Sequence, residues 1–166
     1  MTTLLRIVRL IALAVWVGAL VFFGFVASVA FTSLPDTHQA GIIVRGSLIA
    51  LHHLGLGAGL LYLVCTLALL GTQRDTHPIR AGELVVVLAM LVLTTYSQFS
   101  IIPRMDKDRA ALGGDVTPAT ANAPEHKHFD RLHSVSVKVE GAVLIGGLLL
   151  LGMAAVHGRD DFDRFA

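Results

Sequence analysis

The sequence predicts an all-α integral membrane protein, a four-helix bundle that forms a single membrane domain over residues 1–166. Of the 166 residues, 54% are hydrophobic and only 15% are charged, and the mean hydropathy is +0.71. A soluble domain carries about 25% charged residues. Charge-free runs such as 10–35 and 84–103 are long enough to cross a bilayer core of about 30 Å. Because lipid cannot satisfy backbone polar groups, such runs are expected to be helical.

The four spans are placed near residues 4–31, 42–71, 82–102 and 129–157. The segment 33–36 contains Pro35 and suits a turn after the first span. Pro103 is expected to stop the third span. Residues 104–128 mix charged residues with a Gly/Pro/Ala/Thr segment and are expected to form the one sizeable loop. Alternatively, the start of this stretch, up to Leu112, extends the third helix into water. The fourth span requires Lys138 and Glu140 to lie inside the membrane.

Composition also excludes several function classes. The net charge of +1 provides no field to attract nucleic acid, and the single cysteine excludes a disulfide framework. The sequence lacks the patterns of serine hydrolases, zinc proteases, phosphate loops and dinucleotide sites, so it gives no indication of an enzyme. Lys and Arg are evenly divided between the two sides of the membrane. Arg6 and Arg9 at the start of the first span favour cytoplasmic termini.

Polar side chains inside the spans carry the main functional signal, because an ionisable residue there costs about 2.5–3.5 kcal/mol. At 1.5 Å per residue, His52 and His53 lie about 10–12 Å deeper than Arg45. Gln98 lies about 8–9 Å inside Arg104 by the same rise. The sequence therefore predicts a polar cluster in one half of the bundle, open towards the first and third loops. Its members are Arg45, His52, His53, Gln98, Arg104, His133, Ser136, Lys138 and Glu140. A helical projection turns Lys138 away from the His133 face, so that its long side chain could reach another helix or the membrane surface.

The imidazoles of this cluster allow several kinds of site. His52 or His53 paired with His133 could ligate a b-type haem, because histidines on facing helices of a bundle can bind iron axially. Alternatively, the histidines, Gln98 and Glu140 bond one another and fix the register of the helices. A proton relay through His52, His53 and Glu140 would suit a small transporter. A copper or zinc site is less favoured, because the cluster has no cysteine.

Small residues predict close helix packing at two places. Gly55 and Gly59 form a GxxxG pair in the second span, and Ala142 and Gly146 form a small-xxx-small pair in the fourth. Small residues let membrane helices approach closely, so these faces indicate either a homodimer seam or packing within one bundle. Packing within one bundle is favoured. Trp16 lies in the middle of the first span and is expected to fill the bundle interior.

Several segments match a family pattern: Trp16-Val17-Gly18, Ala30 to Pro35, Gly41 to His53, Tyr96-Ser97-Gln98, Ile102-Pro103-Arg104 with Arg109, and Phe129 to Ser136. The most specific is the Phe-x-x-Leu-His-x-x-Ser signature that opens the final span. Together they resemble the transmembrane protein 205-like family of small four-span membrane proteins. That family often has Asn four residues after the serine, where this chain has Glu140.

The resemblance implies a four-helix membrane fold with motif positions at His53, Pro103, Arg104, His133 and Ser136. Its bacterial branch makes a bacterial inner membrane the expected location, and it implies no particular reaction. With short loops and no catalytic pattern, the sequence favours an accessory subunit or binding module of a larger membrane assembly. The alternatives are a haem- or metal-binding protein in redox or metal handling, and a small transporter. Expected partners are the lipid bilayer, other membrane subunits or a second copy, and no nucleic acid.

Overall fold

The computed structural model shows an all-α bundle of long helices. It describes residues 2–72, 78–114, 116 and 118–163. The helices are α1 (Thr2–Ser33), α2 (Thr37–Thr72), α3 (Pro78–Tyr96), α4 (Ile102–Ala111) and α5 (Pro124–Asp163). A π-helical segment, Ser97–Ile101, joins α3 to α4, and a 3₁₀ turn, Pro118–Thr120, precedes α5. These described ranges contain no strand, and the predicted fold class is confirmed.

Four stretches are long and apolar enough to cross a membrane: Thr2–Ser33, Thr37–Gly71, Ala81–Ala111 and Pro124–Val156. At 1.5 Å per residue each is about 46–53 Å long, so all of them extend beyond a core of about 30 Å. Large apolar side chains face outward along these helices, among them Phe22, Val85 and Val92, which are 66–67% exposed. Lipid is the solvent that such a surface requires, and the chain is a multi-pass membrane protein.

The helices form a ring around the bundle axis. α1 packs against α2 and α5, and α3 packs against the same two helices. Consequently α1 faces α3 across one diagonal, and α2 faces α5 across the other. The end that holds the turn 34–36 and the connection 112–123 is named the loop end, and the opposite end is named the terminal end. Long polar side chains on diagonally opposed helices can therefore meet on the axis.

Local sequence signals set two of the helix ends. Asp36 caps α2, since its Oδ1 accepts the backbone N–H of His38 at 2.9 Å, as an N-cap carboxylate does. At the end of α4, Gly113 and Gly114 adopt φ values of +82° and +94°, a region that favours glycine. The N–H of Gly114 donates to the Arg109 carbonyl at 2.9 Å. These caps place the loop-end connections.

The third span differs from the prediction at Pro103, because the helix continues through this residue. Pro103 has no N–H to donate to the carbonyl four residues back, and its ring crowds that carbonyl. The helix widens just before it, and the N–H of Ile102 donates to the carbonyl of Ser97, five residues back. The residues that follow stay helical to Ala111, which agrees with the alternative of a helical start to the stretch 104–128. The connection that remains before α5 is 112–123.

Trp16 fills the bundle interior, where it is 1% exposed. Gly55 and Gly59 leave the space that the indole occupies. A methyl group on Gly59 would lie 2.5 Å from Trp16 Cζ3 and 2.7 Å from Leu91 Cδ2. A methyl group on Gly55 would collide with the indole Nε1. Gly146 likewise packs against side chains of α3. Gly55, Gly59 and Gly146 therefore serve packing within one bundle.

Candidate functional site

Four polar side chains meet near the bundle axis and are named the inner polar network: His52 of α2, Ser97 and Gln98 of the π-helical segment, and Glu140 of α5. His52 Nδ1 lies 2.9 Å from Gln98 Oε1, and its Nε2 lies 2.7 Å from Glu140 Oε1. Ser97 Oγ donates to the same Glu140 oxygen at 3.2 Å. His52 is 1% exposed. The network thus links α2 to α5 across one diagonal of the bundle.

The hydrogen bonds of His52 occupy both ring nitrogens. With Glu140 ionised, Nε2–H donates to its Oε1, which also accepts from Ser97. At Nδ1, two assignments of hydrogen satisfy every atom. In the first, an imidazolium donates Nδ1–H to Gln98 Oε1; in the second, the amide is turned over and its N–H donates to a neutral imidazole. Each assignment leaves His52 without a free nitrogen for a metal ion.

The inner polar network lies below an ion pair that marks the loop end. Arg45 Nε donates to Asp106 Oδ1 at 2.6 Å, and Nη2 donates to Oδ2 at 2.5 Å. His52 follows Arg45 by seven residues along α2, which is about 10 Å, and Gln98 precedes Asp106 by about 12 Å. An ionisable pair at such a depth must be satisfied by protein groups. The network provides those groups.

A second polar bridge crosses the other diagonal near the terminal end. Arg9 of α1 donates to Glu83 Oε2 of α3 at 2.8 Å, and Glu83 is fully buried. The guanidinium carbon lies 5.4 Å from the centre of the Tyr62 ring, within cation–π range. At the level of sequence, Arg9 serves only to orient the first span, and neither Glu83 nor Tyr62 is identified as a site residue. The available signal was a pair of opposite charges at the same end of two spans.

An apolar layer separates the two bridges. Glu83 and Gln98 lie about 22 Å apart along the third span. The layer between them includes Leu13, Trp16, Val87, Met90 and Val143. Among the described residues of this layer, Thr94 is a buried polar side chain, and its Oγ1 has no hydrogen-bonding partner in the described part of the chain.

The other predicted site residues lie apart from the inner polar network. Arg45 pairs with Asp106 instead, and Ser136 is buried one turn from Glu140. The remaining ones are exposed on the outside of the bundle: His53, Arg104, His133 and Lys138. The ring of His133 stacks on Phe129, with centroids 6.4 Å apart and an interplanar angle of 4°. The structure therefore brings together His52, Gln98 and Glu140 from the predicted set, with the addition of Ser97.

This arrangement does not fit a haem held between facing histidines inside the bundle. Both nitrogens of His52 are engaged, and His53 and His133 are exposed on helices that oppose each other across a diagonal. Within the described ranges, no group of three or more His, Cys, Asp or Glu side chains could hold a metal ion. Haem or metal binding stays a prediction from the sequence.

Removal of the Glu140 side chain is expected to destabilise the bundle moderately. In Glu140→Ala, both His52 Nε2 and Ser97 Oγ lose their acceptor, and each buried unpaired group costs about 1–3 kcal/mol. Glu140→Gln keeps an acceptor oxygen and should lose less. Thr94→Val is the matched control, because it removes a hydroxyl that has no described partner. Thermal unfolding in detergent is the measurement, and equal midpoints for Glu140→Ala and Thr94→Val would contradict the assigned role of Glu140.

A family model described as a domain of unknown function, DUF4149, matches residues 11–111. This range is more than half of the chain and includes α2, α3, the π-helical segment and α4. It contains three members of the inner polar network, whereas Glu140 lies beyond it. No curated protein and no solved structure matches the chain. The chain belongs to the DUF4149 family.

Proposed function

We propose that this protein is a small accessory subunit or binding module of a larger membrane assembly, and that it contacts its partner through the outward face of α2. The observation that supports this proposal is the position of His53. Its side chain is exposed and lies about 12 Å along α2 from Arg45. Its Nδ1–H donates to the Ile49 carbonyl at 2.7 Å. In a neutral imidazole, Nε2 is then an unpaired acceptor that lipid cannot satisfy.

A donor from a neighbouring membrane helix would satisfy this acceptor. Polar side chains that bond across helices stabilise association in membranes by about 0.6–2 kcal/mol each. The inner polar network, in contrast, satisfies its own groups and leaves little for an external ligand. The outside of the bundle is therefore the better candidate for recognition. The resemblance to transmembrane protein 205-like proteins is compatible with this role, and a bacterial inner membrane with cytoplasmic termini belongs to the same proposal.

Haem binding through His53 is a second candidate. A ligating histidine commonly donates its other ring N–H to a backbone carbonyl, as His53 does to Ile49. The second axial ligand would then come from the partner. Transport has less support, because the apolar layer around Trp16 separates the two polar bridges and a transport site calls for broken helices at a cavity.

Mass measurement of the protein extracted in native-membrane nanodiscs tests the proposal. The expected result is a mass well above the 17.7 kDa chain, with a second membrane protein present. His53→Leu should release that protein while leaving the unfolding midpoint unchanged, because leucine suits a lipid-facing position. Leu54→Ala, at an exposed neighbour, is the matched control and should retain the partner.

Two outcomes would contradict the proposal: a wild-type chain that occurs only as a monomer, or a partner retained by His53→Leu. An absorbance spectrum of the same sample, oxidised and reduced, tests the second candidate function, haem binding through His53. A Soret band that disappears in His53→Leu would support haem ligation. Colourless protein from cells with adequate haem would remove that candidate and leave the first intact.

A further inference from the structure

A row of basic and hydroxyl side chains runs along the outside of α5. It consists of Lys127, Arg131, Ser134 and Lys138, named the outer basic stripe, and all four are exposed. Their spacing of four, three and four residues keeps them within about 60° of arc at 100° per residue. The stripe therefore forms one continuous charged face about 16 Å long.

The stripe descends from the loop end into the apolar part of the bundle. Glu140 contacts His52, which fixes the level of α5 relative to α2. Lys138 precedes Glu140 by two residues, so its Cα lies about 3 Å nearer the loop end. Lys138 forms no hydrogen bond or ion pair with any described residue. Within the described residues its ammonium group has no counter-charge, so a group outside the bundle can pair with it.

An apolar strip continues the same face beyond Lys138. Ala142 is exposed, and Ile145 and Leu149 are 61% and 56% exposed. Gly141 beside them has open space where a side chain would be. The face thus places basic groups towards the loop end and small and apolar groups towards the middle of the membrane. A phospholipid has the same order, with its phosphate at the surface and its acyl chain beneath.

We propose that the outer basic stripe binds an anionic phospholipid, with the phosphate between Arg131 and Lys138 and an acyl chain along Ile145 and Leu149. A long lysine side chain reaches from apolar depth towards the headgroup layer, where lipid phosphate is abundant. Asp130, next to Arg131 in the sequence, has its Oδ2 3.5 Å from His126 Nε2, away from the stripe residues. The site lies on α5 and does not depend on the partner proposed for α2.

Native mass spectrometry of the full chain tests this proposal directly. The detergent-solubilised protein is equilibrated with phosphatidylglycerol and phosphatidylcholine of identical acyl chains. Wild-type protein should retain phosphatidylglycerol preferentially. Each basic residue near a membrane surface contributes about fivefold to such binding, so the double variant Arg131→Gln/Lys138→Gln should lose the preference by about 25-fold. Lys107→Gln, at an exposed lysine of α4 outside the stripe, should behave as wild type.

Several results would overturn the lipid assignment. Equal retention of both lipids, or an equal loss in Lys107→Gln, would show that no specific site exists. Displacement of the lipid by millimolar inorganic phosphate would assign the stripe to a free anion. Release of a co-purified protein by the double variant, with lipid preference unchanged, would assign it to a protein partner. If the double variant fails to fold, Lys138→Gln alone should still show a loss of about fivefold.

Discussion

Replacement of Glu83 by alanine is expected to lower the free energy of unfolding by about 3–5 kcal/mol, because it leaves a buried arginine without its counter-charge. Glu83 is fully buried, and Arg9 donates to it at 2.8 Å. Arg9 Nη1 makes this bond, and Arg9 Nε has no hydrogen-bond partner in the described part of the chain. The effect on the bundle should exceed that of any surface substitution.

Unfolding in a detergent titration, followed by the fluorescence of the single tryptophan, measures this loss. The double variant Arg9→Met/Glu83→Leu is the informative control, since an apolar pair of similar size often restores a buried ion pair's stability. Arg104→Ala, at an exposed position, should change stability by less than about 0.5 kcal/mol. A Glu83→Ala loss as small as that of Arg104→Ala would mean that the bridge across α1 and α3 contributes nothing.

Trp16→Ala is expected to cost a similar amount, about 3–5 kcal/mol, because it leaves a cavity at the centre of the bundle. The indole fills the space that Gly55 and Gly59 create on α2, and it is 1% exposed. Neither glycine has a side chain that could move into the vacated volume. Loss of this contact should loosen the packing of α1 against α2.

Circular dichroism on heating reports this loss without the tryptophan signal. Phe22→Ala provides the matched control, because Phe22 lies on the same helix and is 67% exposed to lipid. Its removal should shift the unfolding midpoint far less. Equal shifts for Phe22→Ala and Trp16→Ala would contradict the placement of the indole inside the bundle.

The depth of the polar side chains in the membrane could be predicted from the sequence, because membrane helices are nearly parallel. Counting residues from charged span ends puts His52, Gln98 and Glu140 in one layer, and a helical projection turns Lys138 away from the His133 face. The ion pair of Arg45 could not be predicted in this way. Its partner, Asp106, was expected either in the loop after Pro103 or on a helical extension of the third span into water, and neither interpretation pairs it with the second span. The i−5 hydrogen bond of the π-helix that carries the third span past Pro103 leaves no sequence signal of its own.

The Arg9–Glu83 bridge was missed for a related physical reason. Charges near span ends usually mark the membrane surface, and only the helix starts show how deep such residues lie. α1 begins at Thr2 and α3 at Pro78, which places Arg9 and Glu83 well inside their helices. Arg9 and Glu83 are buried because α1 and α3 extend beyond their apolar runs. The length of that extension cannot be predicted from the apolar runs alone.

Photo-crosslinking in cells tests whether the outward face of α2 around His53 contacts another protein, as we propose. A photoreactive amino acid at position 60 reports on this face, since Leu60 lies two turns from His53 on the same side and is 54% exposed. Position 92 on α3 is the control, because Val92 is 66% exposed. We expect a discrete protein adduct at position 60 that His53→Leu abolishes, and none at position 92. Lipid adducts alone at position 60, or an equal protein adduct at position 92, would contradict it.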